Sequence, residues 1–285
     1  GQSATLPLEN SLAKLCNVHE SGSRCGLAGL VPRQIRAVQR PQGGRDTPVG
    51  YILKRLRLCA FFICCATPVL AEQSSMSFDV RLLGARVGIF SIAANTNGGG
   101  YAARSKFTTV GLAGALKKME ADVTVQGRQT AGRLQPISYS EAIDDGTRIT
   151  DVVVKFAPGT PRLVSGDVGS SAPPAKGAAR NDAIDPLTGV FILLRDQDPA
   201  KVTCNFAAHI YDGHRLAQIQ LNRAELRGNA KTCHGSYQRV SGYTSSERRS
   251  RVVPLAIDYV PHGSTLRADQ IRVETRYGPA VVKRR

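Results

Sequence analysis

The chain has 285 residues, a formal net charge of +16, 42% hydrophobic residues and no Trp. The apolar content is enough for one or two folded domains, and the lack of Trp gives no support to an aromatic cage for a sugar or a quaternary amine. The two basic runs, 248–251 and 283–285, are not interleaved with aromatic residues, so we expect no nucleic-acid partner.

Residues 50–71 have the three parts of a secretory signal peptide. The basic stretch 54–57 leads into the apolar run 58–66, and Ala71 is placed as the last residue before cleavage. The apolar run is shorter than the roughly 20 residues that cross a bilayer, so no transmembrane span is expected after cleavage. The alternative is a buried core helix, but the basic flank, Pro68 and the small residue at the exit together favour export.

Residues 1–49 lie upstream of this signal, where no folded domain is expected. They are rich in Gly, Arg, Ser and Gln with weak periodicity, which predicts a disordered segment or a misassigned translation start. None of the Cys residues in the signal follows a small residue, as a lipoprotein signal would require. We therefore expect residues 72–285 to form a single β-rich domain that is exported to the periplasm by a cleavable signal peptide.

Alternating and β-branched residues predict strands across most of the mature chain. The predicted strands are 77–83, 86–95, 101–109, 121–128, 134–143, 148–156, 201–210, 215–223, 233–240, 252–260 and 270–277. A first short helix is expected over 111–120. Because no β-α-β unit repeats, the pattern indicates a mainly antiparallel sheet rather than a parallel, nucleotide-binding one.

The segment 158–182 is rich in Gly, Pro, Ser and Ala, which predicts an exposed and mobile loop. A second short helix is expected directly after it. Asp185 is a suitable N-cap residue for this helix, and Pro186 suits its first turn. Apolar residues at helical spacing continue to about Arg195, so we expect the helix to pack on the sheet.

Two Cys residues, Cys204 and Cys233, follow the signal segment. In an exported protein an even pair predicts a disulfide, here closing a loop of about 30 residues. The alternative is a metal site that uses His209, His214 or His234. Their spacing matches no standard zinc pattern, so the sequence predicts no metal and no cofactor.

The sequence Asp212-Gly213-His-Arg215 lies between two predicted strands. Asp and Gly favour tight turns, so we expect an Asx-type turn in which Arg215 ties the loop to a neighbour. The chain has no Gly-x-Ser-x-Gly element for a serine nucleophile. The paired acids at 144–145 and 196/198 lie beside turn residues, so no catalytic residue is predicted.

An ordered set of residues spans most of the mature chain: Phe78, Gly84, Gly88, Tyr101, Gly111, Gly114, Gly127, Gly132, Pro136, Tyr139, Asp185, Pro186, Leu187, Arg195, Cys204, Asp212, Gly213, Arg215, Cys233, Tyr237, Gly242, Tyr243 and Pro254. In these residues the chain resembles the bacterial envelope family named domain of unknown function 3108. The resemblance implies a long, curved antiparallel sheet, similar to the half-barrels of periplasmic lipoprotein carriers and to β-spiral envelope proteins. It carries no catalytic residues, and Thr188 and His214 are mild departures from the family pattern.

The export signal and the resemblance favour a noncatalytic protein with a role in maintaining the cell envelope. Its curved sheet would hold an apolar ligand or a partner segment. The candidate partners are a lipid, a lipoprotein or another envelope protein. An envelope hydrolase acting on lipid or peptidoglycan is the first alternative, and it requires His209, His234 and His262 to converge with acids.

A binder of polyanions such as lipopolysaccharide is the second alternative. Its candidate contacts are Arg248, Arg249 and Arg251. This alternative predicts that the arginine run and the basic tail 283–285 share one face of the protein, and that salt weakens the binding.

Overall fold

The computed structural model describes residues 72–156, 159–202, 204–275 and 278–285. The predicted signal peptide and the upstream segment 1–49 lie outside these described residues. Of the two helices named below, neither is long and apolar enough to cross a membrane.

Thirteen strands account for most of the described residues. They are β1 (Glu72–Leu82), β2 (Ala85–Asn97), β3 (Gly100–Thr109), β4 (Glu120–Thr130), β5 (Arg133–Asp144), β6 (Ile149–Lys155), β7 (Arg162–Gly166), β8 (Phe206–Tyr211), β9 (Leu216–Arg227), β10 (Ala230–Ser241), β11 (Val252–His262), β12 (Thr265–Thr275) and β13 (Gly278–Arg284). Side chains on one face of each long strand are buried, since alternate residues of a strand point to opposite faces. In β3 the alternation runs without a break from Tyr101 to Thr109.

The strands form one antiparallel sheet in the order β7-β6-β5-β4-β3-β2-β1-β13-β12-β11-β10-β9-β8. Consecutive strands are neighbours, except β7 and β8. In addition β1 pairs with β13, so the two ends of the described chain meet in the middle of the sheet. Strands β7 and β8 are the two edges, and in the described residues they do not pair to close a barrel. The prediction of a mainly β fold with a long antiparallel sheet and two short helices is confirmed.

Two α-helices connect strands. Helix α1 (Gly111–Leu116) joins β3 to β4 and has no buried residue. Helix α2 (Pro186–Leu194) lies on the inner face of the sheet, where it contacts β3, β4, β5, β8 and β12. Seven of its nine residues are buried, as expected for a helix that is apolar on all sides.

Two strands were not predicted. Strand β7 lies within 158–182, the predicted loop, which also contains the 3-10 helix Ala178–Arg180. It is an edge strand with mostly exposed residues, so no alternation marks it. Strand β13 contains Lys283 and Arg284, two of the three residues interpreted as a basic tail.

Two predicted boundaries are also wrong. The first helix ends at Leu116 rather than at 120, because Glu120 already pairs with Thr108 in the ladder between β3 and β4. The strand expected at 201–210 begins only at Phe206.

Candidate functional site

The N-terminus of α2 is fixed by a buried chain of polar groups. The carboxylate of Asp185 accepts hydrogen bonds from the backbone N–H of Thr188 (2.9 Å) and from its hydroxyl (2.5 Å). Because that hydroxyl donates to Asp185, its oxygen accepts from the hydroxyl of Tyr101 on β3, at 2.6 Å. Asp185, the predicted N-cap, therefore also helps to anchor the helix to the sheet. It bonds Thr188 on the helix, and Thr188 in turn bonds Tyr101 on β3.

Asp185 has an unusual environment for a carboxylate. The side chain is fully buried, and this burial raises the pKa of Asp185 from 3.8 to about 6, although the hydrogen bonds from Thr188 act in the opposite direction. Burial also raises the pKa of Tyr101, with a further contribution from the nearby negative charge of Asp185. Removing a charge from water is costly unless it is paired, and in the described residues no cation forms an ion pair with Asp185.

The C-terminus of α2 is held by β12 and β11. Its last carbonyl groups have no partner within the helix, which is general for helix ends. The hydroxyl of Tyr259 donates to the carbonyl of Leu193 at 2.8 Å. The side-chain amide of Gln197 donates to the carbonyl groups of Ile192 (3.3 Å) and Leu193 (3.5 Å). The backbone of Gln197 also pairs with Leu266. Polar contacts thus fix both ends of the helix, whereas apolar packing holds its middle.

The turn between β8 and β9 has the geometry of an Asx turn. The carboxylate of Asp212 accepts from the backbone N–H groups of His214 (2.9 Å) and Arg215 (2.6 Å), and Arg215 Nη1 lies 3.3 Å from Asp212 Oδ2. Gly213 has φ of 102° and lies close to edge strand β7. A Cβ there would lie 2.9 Å from a methyl group of Val154 and 3.0 Å from a methyl group of Leu163, so a larger residue would add a steric conflict to the strain of this positive φ.

Arg215 extends this turn into a buried cluster of charges. Its Nε lies 3.9 Å from Oε1 of Glu247, and both side chains are at most 5% exposed. The charges of Asp212 and Glu247 raise the pKa of Arg215, against the effect of burial, which lowers it. Arg239 on β10 donates to the carbonyl groups of Glu247 and Ser250. Two arginines and two acids are thus buried together with balanced formal charge.

Glu247 begins the 3-10 helix Glu247–Ser250 and closes a capping box. Its carboxylate accepts from the backbone N–H (2.6 Å) and hydroxyl (2.7 Å) of Thr244, while its own N–H donates to the Thr244 hydroxyl at 3.4 Å. Neither Glu247 nor Arg239 was expected from the sequence to belong to a site. The spacing Thr244-x-x-Glu247 is the signal that would have indicated the cap.

The predicted disulfide is present. Cys204 and Cys233 are bonded, with Cα atoms 5.1 Å apart and both residues buried. The bond ties the connection after α2 to the inner face of β10. The helix, the Asx turn and the disulfide therefore all fix the segment between β7 and β9 against the sheet.

The His residues of the hydrolase alternative make separate contacts. His234 Nε2 lies 3.1 Å from Glu225, and His262 Nδ1 lies 3.8 Å from Asp196. His209 lies on β8, opposite Gln218. Within the ranges that the structure describes, no three His, Cys, Asp or Glu side chains are grouped to hold a metal ion.

The arginine run and the basic tail lie apart. Arg248, Arg249 and Arg251 are exposed and precede β11, whereas the tail pairs with β12 and β1 further along the strands. The ladder registers separate them by about eight residues, or roughly 26 Å along the strand direction. Each tail cation has its own acid: Lys283 pairs with Asp269, Arg284 with Asp196 and Arg285 with Asp79. A single face that joins both runs is therefore not formed.

The described residues thus form an open antiparallel sheet that packs around one of its own helices, α2. Residues 76–253, more than half of the chain, match the family described as Protein of unknown function (DUF3108), and the chain belongs to this family. No curated protein matches the sequence. A solved structure with a similar outline is a beta-barrel-like protein of domain of unknown function DUF1849 from Brucella abortus. It is 9% identical with a TM-score of 0.39, over 74% of this chain and 94% of that chain.

Proposed function

We propose that the protein is a noncatalytic component of the bacterial cell envelope, exported to the periplasm, whose curved sheet holds an apolar ligand or partner segment. This proposal rests on what occupies the inner face of the sheet. Helix α2 lies there as a wholly apolar segment, apart from Thr188. The inner face of this sheet therefore already binds one apolar segment, which comes from its own chain.

The contacts of α2 make it a replaceable occupant. Its polar anchors are confined to its two ends, at Asp185 and at the Leu193 carbonyl. Between them Leu187, Phe191 and Leu194 contribute only apolar packing, which is non-directional and can be reproduced by an acyl chain. A ligand that enters along the inner face would pack against the same strands as the middle of the helix.

Mass spectrometry of bound lipids tests this proposal. The wild-type protein and a Phe191→Ala variant are purified from the periplasm of an expressing Gram-negative strain and extracted with organic solvent. Phe191 is 2% exposed, so its truncation leaves a cavity in the apolar face, and we expect the variant to carry more acyl-chain compound than the wild type. Leu226→Ala is the matched control, because Leu226 is 68% exposed and its truncation therefore opens no cavity in the apolar face.

The control variant should carry the same amount of ligand as the wild type. Near-ultraviolet circular dichroism checks that each variant is folded. Equally low ligand content in all three folded proteins would overturn the proposal.

A further inference from the structure

Five described chain connections lie at one end of the sheet, which we call the turn rim. They are the connections β1–β2, β3–β4, β5–β6, β8–β9 and β10–β11, and they share an end because consecutive strands are antiparallel and β1 is antiparallel to β13. Two of these connections are hydrogen-bonded to a neighbouring strand: Leu83 N–H donates to the carbonyl of Pro279 on β13 at 3.1 Å, and Val110 N–H donates to the carbonyl of Val87 on β2 at 3.0 Å. The rim connections therefore lie side by side along one end of the sheet.

Large apolar side chains project from this rim into solvent. They are Leu83, Leu112, Leu116, Ile149 and Val252, with exposures between 55% and 84%. The two leucines of α1 are four residues apart and therefore point to the same side of that helix. Strands lie about 4.8 Å apart, so these positions follow one another at intervals of roughly 10–15 Å along the rim.

The arginine run lies on the same rim, in the β10–β11 connection. The buried cluster around Glu247 holds this connection in place, through the capping box with Thr244 and the contacts from Arg239. Across the described parts of the chain, no carboxylate forms an ion pair with Arg248, Arg249 or Arg251. The run therefore presents three unpaired positive charges next to exposed Val252.

Exposed acids on the rim are largely engaged by neighbours. Glu120 pairs with Lys118 at 3.0 Å, and Asp167 pairs with Arg148 at 2.9 Å. The carboxylate of Asp145 accepts hydrogen bonds from the N–H groups of its own loop. Exposed Glu274, on the neighbouring strand β12, forms no ion pair with the run.

The opposite rim has three exposed arginines too, but less exposed apolar surface. Arg128, Arg133 and Arg162 are exposed there, and its large exposed apolar residues in the described chain are Leu226 at 68%, Val164 at 50% and Ile137 at 41%, against five residues at 55–84% on the turn rim. The two rims therefore differ in apolar character rather than in charge. This contrast distinguishes a surface for apolar insertion from one that merely carries arginines.

We propose that the turn rim docks on the surface of an anionic phospholipid bilayer. The exposed leucines and Ile149 enter the boundary between headgroups and acyl chains, while the three arginines contact phosphate groups. Exposed apolar patches on soluble proteins mark interaction sites, and the adjacent unpaired cations select a negatively charged partner. This docking depends on the rim alone and does not depend on whether the inner face holds a ligand.

Vesicle flotation tests the docking with the full exported protein. The vesicles contain phosphatidylcholine with about one-third phosphatidylglycerol, and pure phosphatidylcholine vesicles serve as the neutral comparison. We expect Leu112→Ser/Leu116→Ser to weaken vesicle binding by about tenfold or more, since two apolar side chains no longer insert. We expect Arg248→Ser/Arg249→Ser/Arg251→Ser to weaken it by roughly a hundredfold, from about fivefold for each arginine.

Matched variants of the opposite rim provide the controls. Leu226→Ser removes an equally exposed leucine, and Arg128→Ser/Arg133→Ser/Arg162→Ser removes the same charge. Both should bind vesicles within about twofold of the wild type, and raising the salt concentration should weaken wild-type binding. All substituted side chains are exposed, so thermal melting should show unchanged stability.

Two outcomes would overturn the docking proposal. One is equal loss of binding in the variants of both rims. The other is binding to soluble heparin that equals binding to vesicles and is unaffected by the leucine substitutions, which would indicate a polyanion site without insertion. Bound lipid is also measured by mass spectrometry on the same preparations. A failure of vesicle docking at the rim can then be told apart from a failure of ligand binding at the inner face.

Discussion

Substitution of Asp185 tests how α2 is held inside the sheet. The Asp185 carboxyl has a pKa of about 6 in the folded protein against an ordinary value of 3.8, because it is buried. The folded state therefore binds a proton more readily than the unfolded state. Its stability rises as the pH falls through the range between the two pKa values, about 6 and 3.8. The shift of about two units corresponds to roughly 3 kcal/mol in total, of which about 2 kcal/mol falls between about pH 7 and pH 4.5.

Asp185→Asn removes the titrating group and preserves its shape. Urea unfolding of both proteins should show the wild type gaining about 2 kcal/mol relative to the Asn variant between about pH 7 and pH 4.5. Taking the difference cancels the other carboxyls, such as Asp122, whose pKa is lowered by the hydrogen bond from Arg104. Asp185→Ala leaves the Thr188 N–H and hydroxyl without their acceptor, so it should lower the free energy of unfolding by a further ~2–4 kcal/mol.

A difference between wild type and Asp185→Asn that stays constant across this pH range would refute the reasoning. It would mean that the carboxyl does not change its protonation in the folded state over this range. Equal stability of the Asn and Ala variants would separately refute the role of Asp185 as the N-cap of α2.

Three further predictions concern other features. Cys204→Ser/Cys233→Ser should lower the free energy of unfolding by about 3–4 kcal/mol, measured by urea titration, because the disulfide spans 29 residues; dithiothreitol should destabilise only the wild type. Gly213→Ala should cost about 2–3 kcal/mol in the same assay, whereas Gly132→Ala, also at positive φ but with no atom within 4 Å, should cost only about 1 kcal/mol; equal costs would contradict the steric argument. N-terminal sequencing of the exported protein should begin near Glu72, and a start well before residue 70 would contradict the signal-peptide assignment.

The strands were largely predictable because one face of the sheet is buried. Burial on one side imposes alternation on the sequence, and β3 carries that pattern along its whole length. Strand β7 could not be found this way, since an exposed edge strand has no buried face. Strand β13 was missed for another reason: its pairing with β1 joins opposite ends of the chain, and local patterns contain no information on such a partner.

The inner site was predictable only in part. The Asp185-Pro186 pair identified the start of α2, but its apolar spacing could not say which face of the sheet it covers. The charge cluster shows a different limit. Arg215 and Glu247 are 32 positions apart in the sequence and meet only because the turn after β8 and the connection after β10 lie at the same rim.

The pairing of β1 with β13 has a consequence for the order of folding. Phe78 lies opposite Arg284, so the central ladder of the sheet joins segments roughly 200 residues apart. A chain that emerges from its N-terminus can form the hairpins β1–β2 to β6–β7 early, but β1 keeps one unpaired edge until β13 has been made. Truncation before β13 would therefore leave two separate half-sheets, each with a new open edge at what should be the centre.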